Sequence, residues 1–242
     1  MSPNPNFRQR SRMTDDTANV TKQPRRTALR QTTLTETIYT EMRKRLRHGE
    51  IGPDDRVLDY EVANEFDCTR MPVRQVLLRL VSEGYLIGTT RGFVVPTLTS
   101  GDVREIFEVR RLLEPSAAAS TAAILDDRVD DVLKRAFQKA VKAYEKDDGD
   151  MMIEANVAFR DAWLGAVQNS RLRTTIRRFA DHAQQVRLRT LKDHATQKIV
   201  VDGMHAMLEG FLQRDPKQIK LATQNFIASA EQRYFAMLDG EE

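Results

Sequence analysis

The 242 residues, 40% hydrophobic and 30% charged, have the balance of a globular protein and are enough for two domains. No apolar run approaches the roughly 20 residues that span a bilayer, and nothing at the N-terminus resembles a signal peptide, so no membrane role and a cytoplasmic location are expected. One cysteine, Cys68, excludes an internal disulfide framework, and a net charge of +3 is too small to argue for nucleic acid by itself.

Residues 1–30 hold seven basic side chains against Asp15 and Asp16, contain Pro3, Pro5 and Pro24, and show no hydrophobic period. They read as a disordered basic leader. The basic surplus sits there, and the rest of the chain is slightly acidic, so any case for DNA rests on individual arginines.

Thr33-Leu34-Thr35-Glu36 has the form of a capping box and predicts a first helix with the apolar stripe Ile38, Tyr39, Met42 and Leu46, stopping at Gly49. After a turn at residues 52–55, Asp59 is expected to cap a shorter helix burying Val62, Ala63 and Phe66. In the third helix Thr69 is the expected N-cap, with Pro72 in the first turn and Val73, Val76, Leu77, Leu80 and Val81 on one buried face. Pro72 has no amide proton, so the Thr69 hydroxyl is expected to bond the Met71 amide. The remaining surface carries Arg70, Met71, Arg74, Gln75 and Arg79, an arginine-rich face of the kind that enters a DNA major groove. Residues 85–89 and 93–95 then read as two strands around Thr90-Arg91-Gly92, a hairpin with glycine at its tip. A bare backbone beside Arg91 suits a minor groove. Three helices and a hairpin make a winged helix-turn-helix over residues 31–96.

A linker at 97–101 leads to a domain, residues 102–242, that reads as helical throughout. Thr99 and Asp102 open a helix expected to close at Glu114-Pro115, followed by an alanine-rich segment at 116–125. Further helices are predicted over 129–144, 150–167, 172–191 and 198–212, and a last one starts at Asp215-Pro216. The fold class is mainly α: an N-terminal winged helix-turn-helix with a small β-hairpin wing, and a C-terminal all-α antiparallel bundle. No phosphate-cradling glycine loop, activated cysteine or paired catalytic carboxylate stands out, so no enzyme and no catalytic residue is expected.

The run TRMPVRQVLLRLVSEGYL, followed by TRGFVV, resembles the winged-helix signature of GntR-family transcriptional repressors. EIFEVRRLLEPSAA, AFRDAWLGAVQNS and LEGFLQRDP resemble the FCD effector domain of the FadR-like branch. The resemblance spans residues 33–238 and implies a homodimer on a short palindromic operator in double-stranded DNA. It implies further that a small metabolite, often a carboxylate, controls DNA affinity from the helical domain. By position, Thr69, Arg70, Met71 and Arg74 fall on the family's major-groove contacts and Arg91-Gly92 on the wing tip. Met71 stands for a frequent threonine, and Gln75, in place of a frequent glutamate, offers an amide that could read adenine.

Many such effector domains hold a divalent metal with an aspartate and three histidines. Those positions fall here on Asn156, Arg160, Met204 and Phe226, which cannot supply that ligand set, so no metal and no other cofactor is expected. Arg160 is expected to pair directly with an anionic effector. Asn156 would add a hydrogen bond, Trp163 shares their helix face, and Met204 and Phe226 would be apolar walls. Arg110 and the pair Arg187 and Arg189 are weaker candidates. Two alternatives stay open: that Arg160 reaches solvent or Glu114, and that the chain is a ligand-independent DNA-binding or architectural dimer.

Overall fold

Among the described residues the buried side chains form one hydrophobic core in the N-terminal half of the chain and two clusters in the C-terminal half. The computed structural model describes the backbone of residues 24–239 apart from residue 54, and side chains from residue 33 onward apart from residues 54, 185 and 189. Most of the expected leader lies outside the described residues.

The N-terminal half runs α1 (Pro24–His48), β1 (Arg56–Val57), α2 (Asp59–Glu65), α3 (Arg70–Ser82), β2 (Ile87–Thr89) and β3 (Gly92–Val94). Ile38, Tyr39 and Met42 from α1 meet Val73, Val76, Leu77 and Leu80 from α3 in its core, as the helical spacing demands. Three local expectations are corrected. First, α1 begins at Pro24, so Thr33 is interior to the helix, where its carbonyl accepts from the Thr37 hydroxyl at 2.9 Å. Second, Asp59 is the first residue of α2 and makes no cap bond; Leu58 is the N-cap. Its carboxylate faces two arginines of α3 instead, a stronger partner for an ionised group than a single amide.

Third, the wing has an extra strand. The antiparallel order is β1-β3-β2, with Val57 opposite Phe93 and Gly88 opposite Phe93 on the other side. Gly92 is therefore part of the sheet, and Thr90 and Arg91 form the tip. Gly92 has φ +119°, and a Cβ there would sit 2.6 Å from Leu58 Cδ2 and 2.8 Å from the Val57 carbonyl oxygen. Glycine is required for β1 to approach β3.

The C-terminal half is α4 (Ser100–Thr121), α5 (Asp127–Glu145), α6 (Gly149–Gly165), α7 (Ser170–His182), α8 (Gln184–Thr190), α9 (His194–Gln213) and α10 (Pro216–Asp239). α5 packs on α6 and α9, and α10 on α4 and α9. Thr99 and Asp102 form the expected capping box, and the Asp215 carboxylate accepts from the amides of Lys217 and Gln218. α4 does not stop at Glu114-Pro115. Pro115 lies inside it, and burial of Ala117, Ala118 and Thr121 beyond it offsets a proline cost of roughly 3 kcal/mol. The single helix expected over 172–191 is two, broken at Ala183. No helix among the described residues is long and apolar enough to cross a membrane.

Candidate functional site

Thr69, Arg70, Met71, Arg74 and Gln75 are all exposed along one side of α3, and Arg91 is exposed at the hairpin tip. The face is apolar only at Met71 and Leu78, which are 63% and 52% exposed. Arg70 Nη2 donates to Asp59 Oδ1 at 2.7 Å, and Arg74 Nη1 lies 3.5 Å from Asp59 Oδ2. One carboxylate on α2 thus orients both arginines while leaving most of their N–H groups outward. Thr69 is the N-cap in extended conformation, yet its side chain makes no cap bond, contrary to expectation. It stays exposed beside the arginines. Arg79 turns the other way, to Glu36 at 3.0 Å and Glu83 at 3.1 Å, with its guanidinium 3.5 Å from the centre of the Tyr39 ring. It braces α3 against α1.

In the helical domain α4, α6, α8, α9 and α10 enclose a cavity of about 60 Å³. Three arginines line it: Arg110, Arg160 and Arg187, from α4, α6 and α8. The one lining carboxylate among the described residues, Glu114, is already paired, with Oε1 2.7 Å from Arg110 Nε one turn earlier on α4. Arg160 is 6% exposed, and its Nε and Nη2 have no hydrogen-bond partner among the described residues. Burial pushes its guanidinium below the usual arginine range, although Asp161, Asp181 and Glu114 pull the other way. Arg187 is 8% exposed and pushed further down, by burial first and then by Arg160 and Arg110. Its Nε donates to Gln184 Oε1 at 2.8 Å and its Nη2 to the Ala180 carbonyl, so its bonds go to neutral groups.

Among the described residues the cavity lining holds no histidine and no cysteine, and no group of three or more metal-ligating side chains stands together. A guanidinium has no lone pair to give. The residues present do not fit a divalent cation.

The family described as "Bacterial regulatory proteins, gntR family" matches residues 34–95, and the "FCD domain" matches residues 105–229. The chain belongs to the GntR family, with an FCD domain. Among relatives of this GntR-family chain, the Nta operon transcriptional regulator of Aminobacter aminovorans is 27% identical over 56% of this chain and 64% of its own length. The HTH-type transcriptional regulator McbR of Escherichia coli is 29% identical over 54% of this chain and 60% of its own. The chain thus spans less than two thirds of the length of these relatives. Among solved structures, E. coli McbR/YncC superposes with a TM-score of 0.72 at 23% identity, covering 86% of this chain and 98% of that one. A GntR regulator from Rhodococcus sp. RHA1 does so with a TM-score of 0.70 at 17% identity, covering 84% and 98%. Those likenesses concern the fold.

Of the residues singled out for the effector site, the GntR-family structure brings Asn156, Arg160, Trp163, Phe226 and Arg110 together around the cavity. Met204 is not among them. The α9 face toward the cavity carries Thr196, Val200 and Met207, whereas Met204, fully buried, belongs to the hydrophobic core. One residue along a helix turns a side chain by about 100°, and the position before Met204 is Gly203. A Cβ at Gly203 would collide with the Phe226 ring, so Phe226 occupies that space.

Sequence reasoning ranked Arg187 low and overlooked Asp181. Asp181 on α7 is 6% exposed and accepts from Arg43 of α1 and from the Tyr85 hydroxyl, with Arg47 Nε 3.6 Å away. Burial alone would raise its carboxyl. Arg160, Arg43 and Arg47 outweigh that and hold it below the usual carboxylate range. Asp181 therefore feels the cavity and the winged helix together. The break at Ala183 separates it from Gln184 and Arg187 of α8, an arrangement that no periodic pattern announces.

Proposed function

We propose that this chain is a ligand-responsive transcriptional regulator that works as a homodimer in the cytoplasm, most simply as a repressor. Thr69, Arg70, Met71, Arg74 and Gln75 read the major groove of a short palindromic operator while Arg91 reaches the backbone or minor groove. The helical domain binds a small anion, a carboxylate being the natural class, without a metal. One observation carries this reading: Arg160 is buried against a cavity with two unpaired nitrogens, and the cavity's own carboxylate is taken by Arg110. A buried charge without a partner costs several kcal/mol, so an anion that pairs with it binds with a large differential. Asp181 supplies the link. An anion on Arg160 reduces that arginine's pull on Asp181, whose other partners, Arg43 and Tyr85, belong to the DNA-binding half.

The experiment is selection of an operator from random duplex DNA with the purified protein, then anisotropy titrations with and without organic acids. Wild type should change its DNA affinity when an acid is added, and Arg160→Ala should bind DNA without responding. A wild type indifferent to every acid leaves the second reading, a ligand-independent DNA-binding dimer, which the small size of the cavity favours. Zinc that strongly stabilises EDTA-treated protein would overturn the metal-free site.

A further inference from the structure

The charges around the cavity do not balance. Glu114 is spent on Arg110, which approaches it with two nitrogens, Nε at 2.7 Å and Nη2 at 3.5 Å. Asp161 is bonded to Arg47 at 2.7 Å, and Asp181 is held by Arg43 and Tyr85 from the other half of the molecule. Among the described residues two buried guanidinia are left without a carboxylate of their own. Arg160 has unpaired nitrogens, and the described bonds of Arg187 go to an amide oxygen and a backbone carbonyl. Each raises the cost of the other, since like charges in a low-dielectric space repel without water between them.

The other polar groups on the walls do not compensate. The hydroxyls of Thr190 and Thr223 donate to carbonyls of their own helices, at Val186 and Ile219, and the Thr196 hydroxyl donates to Asp193. None of these hydroxyls directs a proton into the cavity, so beside the Asn156 amide the donors available to a ligand are the guanidinia. The cavity is small, about 60 Å³, which suits a compact charged group.

Resting on the anion reading above, we propose that the cavity takes a small dianion whose two negative charges are set against Arg160 and Arg187. A monoanion leaves one guanidinium uncompensated. A dianion neutralises both, and two short carboxylates or one phosphate supply the same chemistry.

Calorimetric titration of the full-length protein with acetate, malonate and inorganic phosphate, above neutral pH in a buffer free of other multivalent anions, separates these possibilities. Malonate or phosphate should bind about tenfold or more tightly than acetate, the gain expected from one further charge-assisted pairing, and whichever of the two binds tighter names the source. Arg187→Gln should erase this preference while keeping acetate affinity, and Arg187→Lys, which retains the charge, should keep it. A preference retained in Arg187→Lys also shows that the site tolerates substitution and folds. Equal binding of acetate and malonate overturns the dianion and leaves the anion site standing. An undiminished preference in Arg187→Gln overturns the role of Arg187. Absence of binding by all three anions overturns both the dianion and the anion reading.

Discussion

The Tyr85 hydroxyl donates to Oδ2 of Asp181 at 3.1 Å, joining the segment after α3 to α7 of the helical domain. The same carboxylate oxygen accepts from Arg43. His182, the next residue, bonds the Glu83 carbonyl through Nε2 at 3.1 Å, so two consecutive residues of α7 fasten it to the C-terminal end of α3.

Uncoupling is the first expected outcome. Tyr85→Phe removes one hydrogen bond and should cost about 1 kcal/mol of stability, while operator affinity without ligand stays within a few-fold of wild type. The ligand's effect on DNA affinity should shrink. Anisotropy titrations with and without malonate measure it, and an unchanged ligand effect would show that the coupling runs elsewhere.

Arg160 gives a test of opposite sign. Replacing a buried, unpaired charge by an apolar group of similar length is often stabilising, by about 1–4 kcal/mol. Arg160→Met should therefore raise the melting temperature of the ligand-free protein and abolish stabilisation by added anions. An arginine with a purely structural role would lower the melting temperature on removal.

Acid should loosen the junction in two steps. Burial, then Arg178, holds the His182 imidazole below its ordinary value, against the opposing Glu83 carbonyl bond and Asp181. An unfolded chain takes up that proton at about pH 6.5. Below that pH the unfolded state binds more protons, and stability falls until the depressed native value is reached. Asp181 is also depressed, so its contribution is present above about pH 3.9 and is lost as pH falls through its native value. Thermal melts from about pH 7 to about pH 5 should show the first loss in wild type and a smaller one in His182→Asn.

Gly92→Ala should destabilise the winged helix by on the order of 1–3 kcal/mol. The added Cβ meets Leu58 and the Val57 carbonyl at a φ of +119° that side chains rarely adopt. Loss of operator affinity should follow the loss of folded wing, read by comparing circular-dichroism melts with DNA titrations.

Arg74→Ala should weaken operator binding by about 1–3 kcal/mol if the guanidinium reads a base. In that case the selected sequence relaxes at one position. A uniform weakening across sequences, with a smaller salt dependence, would assign Arg74 to phosphate instead.

Much of the fold was legible in the residues. The spacing of Val73, Val76, Leu77 and Leu80 sets the buried face of α3 and thereby the outward face of Arg70, Arg74 and Gln75. Local hydrogen bonding made the Thr99–Asp102 box and the Asp215 cap readable for the same reason. Where a local signal competed with packing, packing won. Pro115 did not end α4, and Asp59 chose two arginines over a cap. The two-residue β1 is too short to show an alternation, and so the contact that demands Gly92 was invisible.

Spacing within one helix or one motif was enough to read a two-part chain and the outward arginine face of α3, and the family resemblance placed an arginine where a metal ligand is frequent. Packing between helices settled the remainder: that Met204 turns away while Phe226 lies over Gly203, that Arg187 joins Arg160, and that Asp181 stands between the cavity and the winged helix. A helical period tells which face is apolar, but not how far that helix is rotated toward its neighbours. Countercharges obey no period at all, and Asp181 takes its bonds from Arg43 and Tyr85, 138 and 96 residues away along the chain.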